Sequence, residues 1–262
     1  MNYLVIGCGS IGKRHIRNLK TLGIDTRYIT AIETRKDRQE EIKNLGISKI
    51  YEDIDLALKE NKFNAAIICS PTNLHTEQAI KLAKNKINFI IEKPLCNNLN
   101  DVDKLVNLVN ENKLIVLVAY IFRFAPITQK VKEILNKKLI GKVLYARGEF
   151  SEYLPDWHPY EDYRTFYMAE KKQGGGSILD QSHIFDLVHY LLGNFKSVIG
   201  IVHKQSSLEV NADDISELIV RLENNILVSL HTDIFGRGHK KYLEIKGEKG
   251  NITWDFYENS VK

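Results

Sequence analysis

Short apolar runs alternate with amphipathic stretches through the first half of the chain, the pattern that forces parallel strands joined by crossover helices. Strands are predicted at Tyr3 to Ile6, Tyr28 to Ile32, Ala65 to Cys69, Asn88 to Ile91 and Leu114 to Ala119. Several are apolar on successive residues, as strands buried on both faces must be. Between them, Asn100 or Asp101 can cap a helix carrying Val102, Leu105, Val106 and Val109, and Ile80 and Leu82 lie in another that starts after Thr72 to Asn73. Beyond about Tyr120 the rhythm changes: one helical stretch, Thr128 to Lys138, leads into the runs VLYARGEF, ELIVRLE, ILVSLHTDI and KYLEIKG. Their alternation predicts antiparallel strands with one face on helices and the other exposed or used for association. The expectation is an α/β chain with a doubly wound parallel domain over 1–122 and an α+β domain with an open, largely antiparallel sheet over 123–262.

Composition narrows the class. The 262 residues are 44% hydrophobic and 27% charged, the usage of a globular protein with a real core. A net charge of +4, spread along the chain, gives no basic tract for nucleic acid. Cys8, Cys69 and Cys96 form no CxxC pair, which excludes a disulfide scaffold and a zinc ribbon and suits a reducing, cytoplasmic address. They read as small buried residues rather than nucleophiles. No apolar run reaches the roughly 18 to 20 residues of a membrane span. The tract GGG at 174–176 is the one concentrated flexible segment.

The first strand runs into YLVIGCGSIGKRHIRNL, which places Gly7, Gly9 and Gly12 between a strand and a helix. In that setting Gly7 permits the turn, Gly9 lets the backbone approach a pyrophosphate, and Gly12 allows close helix packing. Ser10 and Ile11 then open the helix whose unpaired N–H groups meet the anion. Glu33, at the end of the second strand, can accept ribose hydroxyls. The plainer reading, a turn followed by a solvated strand end, explains the glycines but not their register with strand, helix and acid. NAD is the expected cofactor; Arg35 and Lys36, just past the acid, could hold a 2′-phosphate and keep NADP as the alternative.

Glu92-Lys93-Pro94 stands at the carboxyl edge of the sheet, where open α/β folds bind ligands. Alone, this lysine reads as a surface residue before a proline. However, GCGSIGKRH, CSPTNLHTEQA, IEKPLC, YIFRFAP and GGGSILDQSHIFDLVHYLLG occur in the order and approximate spacing of the Gfo/Idh/MocA oxidoreductases, and nearly the whole chain resembles that family. The resemblance implies a Rossmann domain, a C-terminal domain with an open sheet, a nicotinamide cofactor and a sugar or polyol substrate. YLPDWHPYEDYRTFYMAEKKQGGGSILDQSH further looks like the branch tied to surface-polysaccharide and nonulosonate sugars.

Carried over by that resemblance, Lys93 matches the catalytic lysine, Asp180 the acid that contacts substrate and His183 the acid/base histidine. Ser70, Pro71, Thr72 and His75 match the loop beside the nicotinamide ribose, and Glu92, Lys93 and Arg123 complete the cofactor set. The familiar pattern has three residues between acid and histidine; here there are two, and on one continuous helix both still face one cleft. Asp180, His183, Asp186 and His189 could suggest a metal ladder, but helical rotation carries His189 away from Asp180, so no metal is expected and Asp186 and His189 read as packing or capping groups. Trp157, His158, Tyr160, Tyr163 and Tyr167 could pack on the sheet or stack on a sugar, with Trp157 and Tyr160 the substrate candidates.

The expected chemistry is reversible oxidation of a secondary alcohol. Two other readings stay open: a non-catalytic dinucleotide sensor, and a sugar lyase or glycosidase that recycles a retained NAD. A homodimer or homotetramer through the C-terminal sheet is expected. KYLEIKGEKGNITWDFY resembles a strand pair normally followed by further sheet and helix, so the chain is expected to stop short of a full domain, with Asn251 to Tyr257 an unprotected edge.

Overall fold

The computed structural model describes residues 1–157, 159 and 161–262. His158 and Tyr160, both among the aromatic candidates, lie outside the described residues. The chain divides into two compact units, Met1–Ala119 and Tyr120–Lys262.

In the first unit the strands are β1 (Tyr3–Ile6), β2 (Ile29–Ile32), β3 (Lys49–Tyr51), β4 (Ala65–Ile68), β5 (Asn88–Ile91) and β6 (Val116–Val118). The helices are α1 (Ser10–Thr21), α2 (Lys36–Asn44), α3 (Ile54–Glu60), α4 (His75–Lys84) and α5 (Val102–Glu111). Every strand pair is parallel, in the order β3-β2-β1-β4-β5-β6. Strand order therefore reverses between β1 and β4, the switch point where such sheets open a ligand crevice. Alternation along β1 builds a core on each face: Leu4 and Ile6 pack with Ile68, Ile80 and Leu82, while Val5 packs with Ile16, Ile29 and Ile67. Asp101 stands at the N-cap of α5 as expected, but at φ 58° and without a side-chain cap bond.

The second unit holds α6 (Pro126–Asn136), β7 (Val143–Tyr153), α7 (Ser177–Asp180), α8 (His183–Leu192), β8 (Phe195–His203), β9 (Ile215–Leu222), β10 (Leu227–Asp233), β11 (Phe235–Gly247), β12 (Asn251–Asp255) and β13 (Ser260–Val261). Its sheet runs β13-β12-β11-β7-β10-β9-β8. One face packs Phe150, Val220, Leu230, Leu243 and Trp254 against Val131 of α6 and Ile184, Leu187 and Val188 of α8. The sheet is largely antiparallel, as expected, with one parallel pair, β7 and β10, an arrangement the intervening segment with α7 and α8 allows and a tight hairpin would not. One expectation is corrected: β12 is not an edge, because β13 pairs Val261 with Trp254 and Ser260 with Asp255.

GGG at 174–176 is a required conformation, not slack chain. Gly176 has φ +116° and a Cβ there would lie 2.3 Å from the Asp213 carboxylate, which takes the place of an N-cap by accepting from Ser177 Oγ at 2.9 Å and the Ile178 N–H at 3.0 Å.

Candidate functional site

At the switch point of the first unit, Gly7 adopts φ +83°, where a Cβ would lie 2.7 Å from the Ser70 nitrogen. A Cβ on Gly12 would lie 2.0 Å from the Gly7 carbonyl oxygen, so α1 reaches the loop only because that residue is glycine. Gly9 is different: the nearest atoms its Cβ position meets among the described residues belong to the Arg38 guanidinium, with Nη1 at 3.5 Å. The backbone is thus open on that side, α1 starts at Ser10 with no side-chain cap and no acidic residue in its first turn, and a cation lies over the loop. These are the features an anionic diphosphate needs.

Glu33 is pinned beside this loop. Its Oε2 accepts the Cys8 N–H at 2.8 Å and its Oε1 the Arg35 N–H at 2.9 Å, and the residue is 5% exposed. A carboxylate has about four acceptor sites, so two remain for hydroxyls. The Arg35 guanidinium pairs with Asp37 at 2.6 Å and 3.1 Å, which pulls the Asp37 carboxyl down to about 2. The cation over the loop is therefore Arg38, which sequence reasoning missed within the run RKDR. Burial, aided by the Glu33 charge, raises the Cys8 thiol to about 12, in keeping with a packed residue.

The loops after β4 and β5 are braced together. His75 is buried, with Nδ1 2.9 Å from the Pro94 carbonyl and Nε2 2.9 Å from that of Ser70. Burial holds its pKa below the ordinary histidine value against both contacts. Ser70 Oγ donates to Gln78 Oε1 at 2.6 Å, Pro71 leads a 3-10 turn, and Thr72 is buried within it. His75 thus fixes the segments that carry Ser70 and Lys93, a role set by its contacts rather than by an exposed ring. Glu92 Oε1 lies 2.8 Å from His15 Nε2 on α1, a partner the sequence did not single out.

In the second unit, Asp180 and His183 do not share one helix. α7 ends at Asp180, α8 begins at His183, and Gln181 and Ser182 form the break, so the rotation expected of a continuous helix does not describe the pair. Asp180 Oδ1 accepts the Tyr167 hydroxyl at 3.1 Å, and the His183 ring lies against Phe122 at 4.6 Å and Tyr120 at 5.7 Å between centroids. Ser182 Oγ is buried and finds no partner among the described residues, leaving a donor beside the pair. Arg123 grips Asp186 through Nε and Nη2, which gives Asp186 an ion-pair role rather than capping. Trp157, Tyr163 and Tyr167, partly buried, pack around Leu154, Met168 and Ile234.

Comparison with known proteins accounts for both units. Residues 1–120 match the Gfo/Idh/MocA oxidoreductase family model with its NAD-binding Rossmann fold, and residues 128–253 match the Gfo/Idh/MocA C-terminal domain. Myo-inositol 2-dehydrogenase of Thermotoga maritima is 31% identical over 96% of this chain and 74% of its own length. A 2,7-anhydro-N-acetylneuraminate hydratase of Mediterraneibacter gnavus is 25% identical over 97% of this chain and 67% of its own. Among solved structures, the WlbA dehydrogenase of Bordetella pertussis, in complex with NADH and UDP-GlcNAcA, superposes with a TM-score of 0.86 over 98% of this chain and 74% of its own, a likeness of fold at 19% identity.

Proposed function

The chain belongs to the Gfo/Idh/MocA family of NAD-binding oxidoreductases, and we propose that it moves a hydride between NAD and a secondary alcohol of a sugar, sugar derivative or polyol. The observation that carries this reading is the meeting of the glycine loop with the Glu33 carboxylate at 2.8 Å, at the strand switch point, with Lys93 following β5 of the same sheet. Gly7, Gly9, Ser10, Ile11 and Gly12 would take the diphosphate, Glu33 the adenosine ribose, and the Ser70 to Thr72 and Glu92 segments the nicotinamide end. When bound, NAD supplies the hydride acceptor.

Lys93 as an ammonium stabilises the alkoxide oxygen as charge develops on it. His183 accepts the hydroxyl proton, the carbinol carbon gives up its hydride, and the C–O bond becomes a carbonyl; Asp180 orients the histidine or holds a neighbouring hydroxyl. In reduction the same groups act in reverse. Arg123 belongs to the cofactor set by resemblance, and its grip on Asp186 makes that role one of shape as much as charge. The hydratase relative favours one alternative, a reaction in which hydride leaves and returns with no net NADH.

The open face of the second unit's sheet exposes Ile199 and Ile201 of β8, Ile219 of β9 and Leu227 of β10, an apolar patch that supports association of copies through this sheet. Among the described residues no helix is long and apolar enough to cross a membrane, and three free cysteines suit a cytoplasmic address.

The test is a panel of inositols, amino sugars, UDP-sugars and CMP-sugars with NAD and NADP, read at the nicotinamide absorbance band and by product analysis. Stoichiometric NADH marks a dehydrogenase, product without net NADH marks the recycling reaction, and NAD binding with neither marks a sensor.

A further inference from the structure

We propose that Glu152 is a positioning residue: through the Gln181 side chain it fixes the break between α7 and α8, and so sets how Asp180 and His183 are aimed. The inference rests on the reading that those two residues handle the substrate.

A helix of one turn cannot hold its own direction, and α7 has only four residues. Backbone bonds span the break only locally, from the Gln181 N–H to Ser177 O at 2.9 Å and from the Ile184 N–H to Gln181 O at 3.0 Å, and tie it to no other element. The side chain of Gln181 supplies the external anchor. That residue is 1% exposed, and its Nε2 donates to Glu152 Oε2 at 2.9 Å. A glutamine facing inward between two polar site residues has no packing reason to be polar; the bond to Glu152 supplies one.

Glu152, on β7, is itself held from two further directions. Lys241 of β11 places Nζ 2.8 Å from the same Oε2, and the Tyr257 hydroxyl, from the segment after β12, donates to Oε1. The Lys241 ammonium lies 5.9 Å from the ring centres of Phe150, Phe256 and Tyr257. One buried carboxylate thus ties β7, β11, the end of the β12 segment and the α7–α8 break into a single network. Such a carboxylate persists out of water because its donors are charged or well aimed. Its consequence is angular: displacement of a reacting group by about 1 Å costs on the order of 100-fold in rate.

Replacing Gln181 with Leu keeps volume while removing the donor. Gln181→Leu is expected to lower kcat about 10- to 100-fold on the best substrate of the panel, with KM and NAD affinity within about threefold. The His183 limb of the pH profile should move with it. A second readout needs no substrate: with labelled histidine, the ring-current shift that Phe122 imposes on His183 should change in Gln181→Leu. The double variant Glu152→Gln with Lys241→Met keeps an acceptor for Gln181 without a buried unpaired charge and should retain kcat and the shift; Glu152→Leu with Lys241→Met should lose both. This pair decides the matter if Gln181→Leu does not fold. Wild-type kcat and an unchanged His183 shift in the folded Leu double variant overturn the positioning role. Should His183→Ala keep full turnover, the assignment of the catalytic pair fails instead.

Discussion

Arg123 and Asp186 form a forked ion pair, with Nε 2.9 Å and 3.1 Å from the two carboxylate oxygens and Nη2 2.5 Å from one of them. The Asp186 side chain is 6% exposed and the Arg123 side chain 36%. Removing Arg123 would strand a buried carboxylate, so Arg123→Ala should cost about 2 to 4 kcal/mol, less than a fully buried pair because the arginine is partly wet. Lys137→Ala, which breaks a solvent-exposed helical pair with Glu133, should leave the midpoint nearly unchanged. Urea midpoints of the two variants measure the contrast; equal shifts would show the Arg123 pair to be ornamental.

Cofactor preference should follow Glu33 and Arg38. With its oxygens held by the Cys8 and Arg35 N–H groups, Glu33 cannot swing away from a 2′-phosphate, so NAD should bind more tightly than NADP. Arg38→Ala should weaken NAD about 5- to 30-fold by removing the cation over Gly9, whereas Arg35→Ala, whose guanidinium is paired with Asp37, should change it by less than about threefold. Fluorescence titration of both cofactors against both variants separates the two arginines. Tighter NADP binding that vanishes in Arg35→Ala would assign cofactor choice to the wrong residue here.

Elements with a strong period were legible from sequence. β1, the glycine loop and Glu33 appear because strand, turn and helix each impose a residue type at one place. Short or exposed elements were not: β3 is three residues of KIY, and β8 is exposed along its whole length, so no inward stripe marked it. The parallel pairing of β7 with β10 joins segments far apart in sequence, and no local pattern encodes it. Within the site, Lys93, Asp180 and His183 were carried by resemblance, while Gln181 and Arg38 were overlooked. An amide in a helix break and one cation in a charged run look like solvent residues until their partners, Glu152 and Gly9, are placed.

The catalytic roles predict a split between binding and turnover. Lys93→Met keeps side-chain length but removes the ammonium, so NAD affinity should hold while kcat falls about 10²- to 10³-fold. His183→Ala should lower kcat about 10²- to 10⁴-fold and remove its limb of the pH profile in the oxidative direction. Steady-state rates with cofactor titrations check both. Near-full turnover by Lys93→Met on the true substrate would remove Lys93 from the catalytic set and leave the alkoxide to another group.

Stability should carry a pH signature from His231 on the open sheet face. Its Nδ1 lies 2.5 Å from Glu217 Oε1 on β9, and its Nε2 2.7 Å from Asp233 Oδ2 on its own strand. Glu149 of β7 stands opposite in register and pairs with Lys240 of β11 at 3.3 Å. The bond to Asp233 first, then that to Glu217, raises the His231 pKa against the opposing effect of burial. A raised folded pKa means the stabilisation is complete below the ordinary histidine value of about 6.5 and is lost as pH rises through the folded value. His231→Gln should therefore destabilise the protein near pH 5.5 by about 1 to 2 kcal/mol, the scale of a charged hydrogen bond, and by much less once pH exceeds the raised value. His75 titrates with the opposite sign, its burial-lowered pKa withdrawing stability as pH falls below about 6.5, so the wild-type curve alone would blend the two. The difference between wild-type and His231→Gln urea midpoints across pH isolates His231, and a difference that grows with rising pH would reverse the sign argued here.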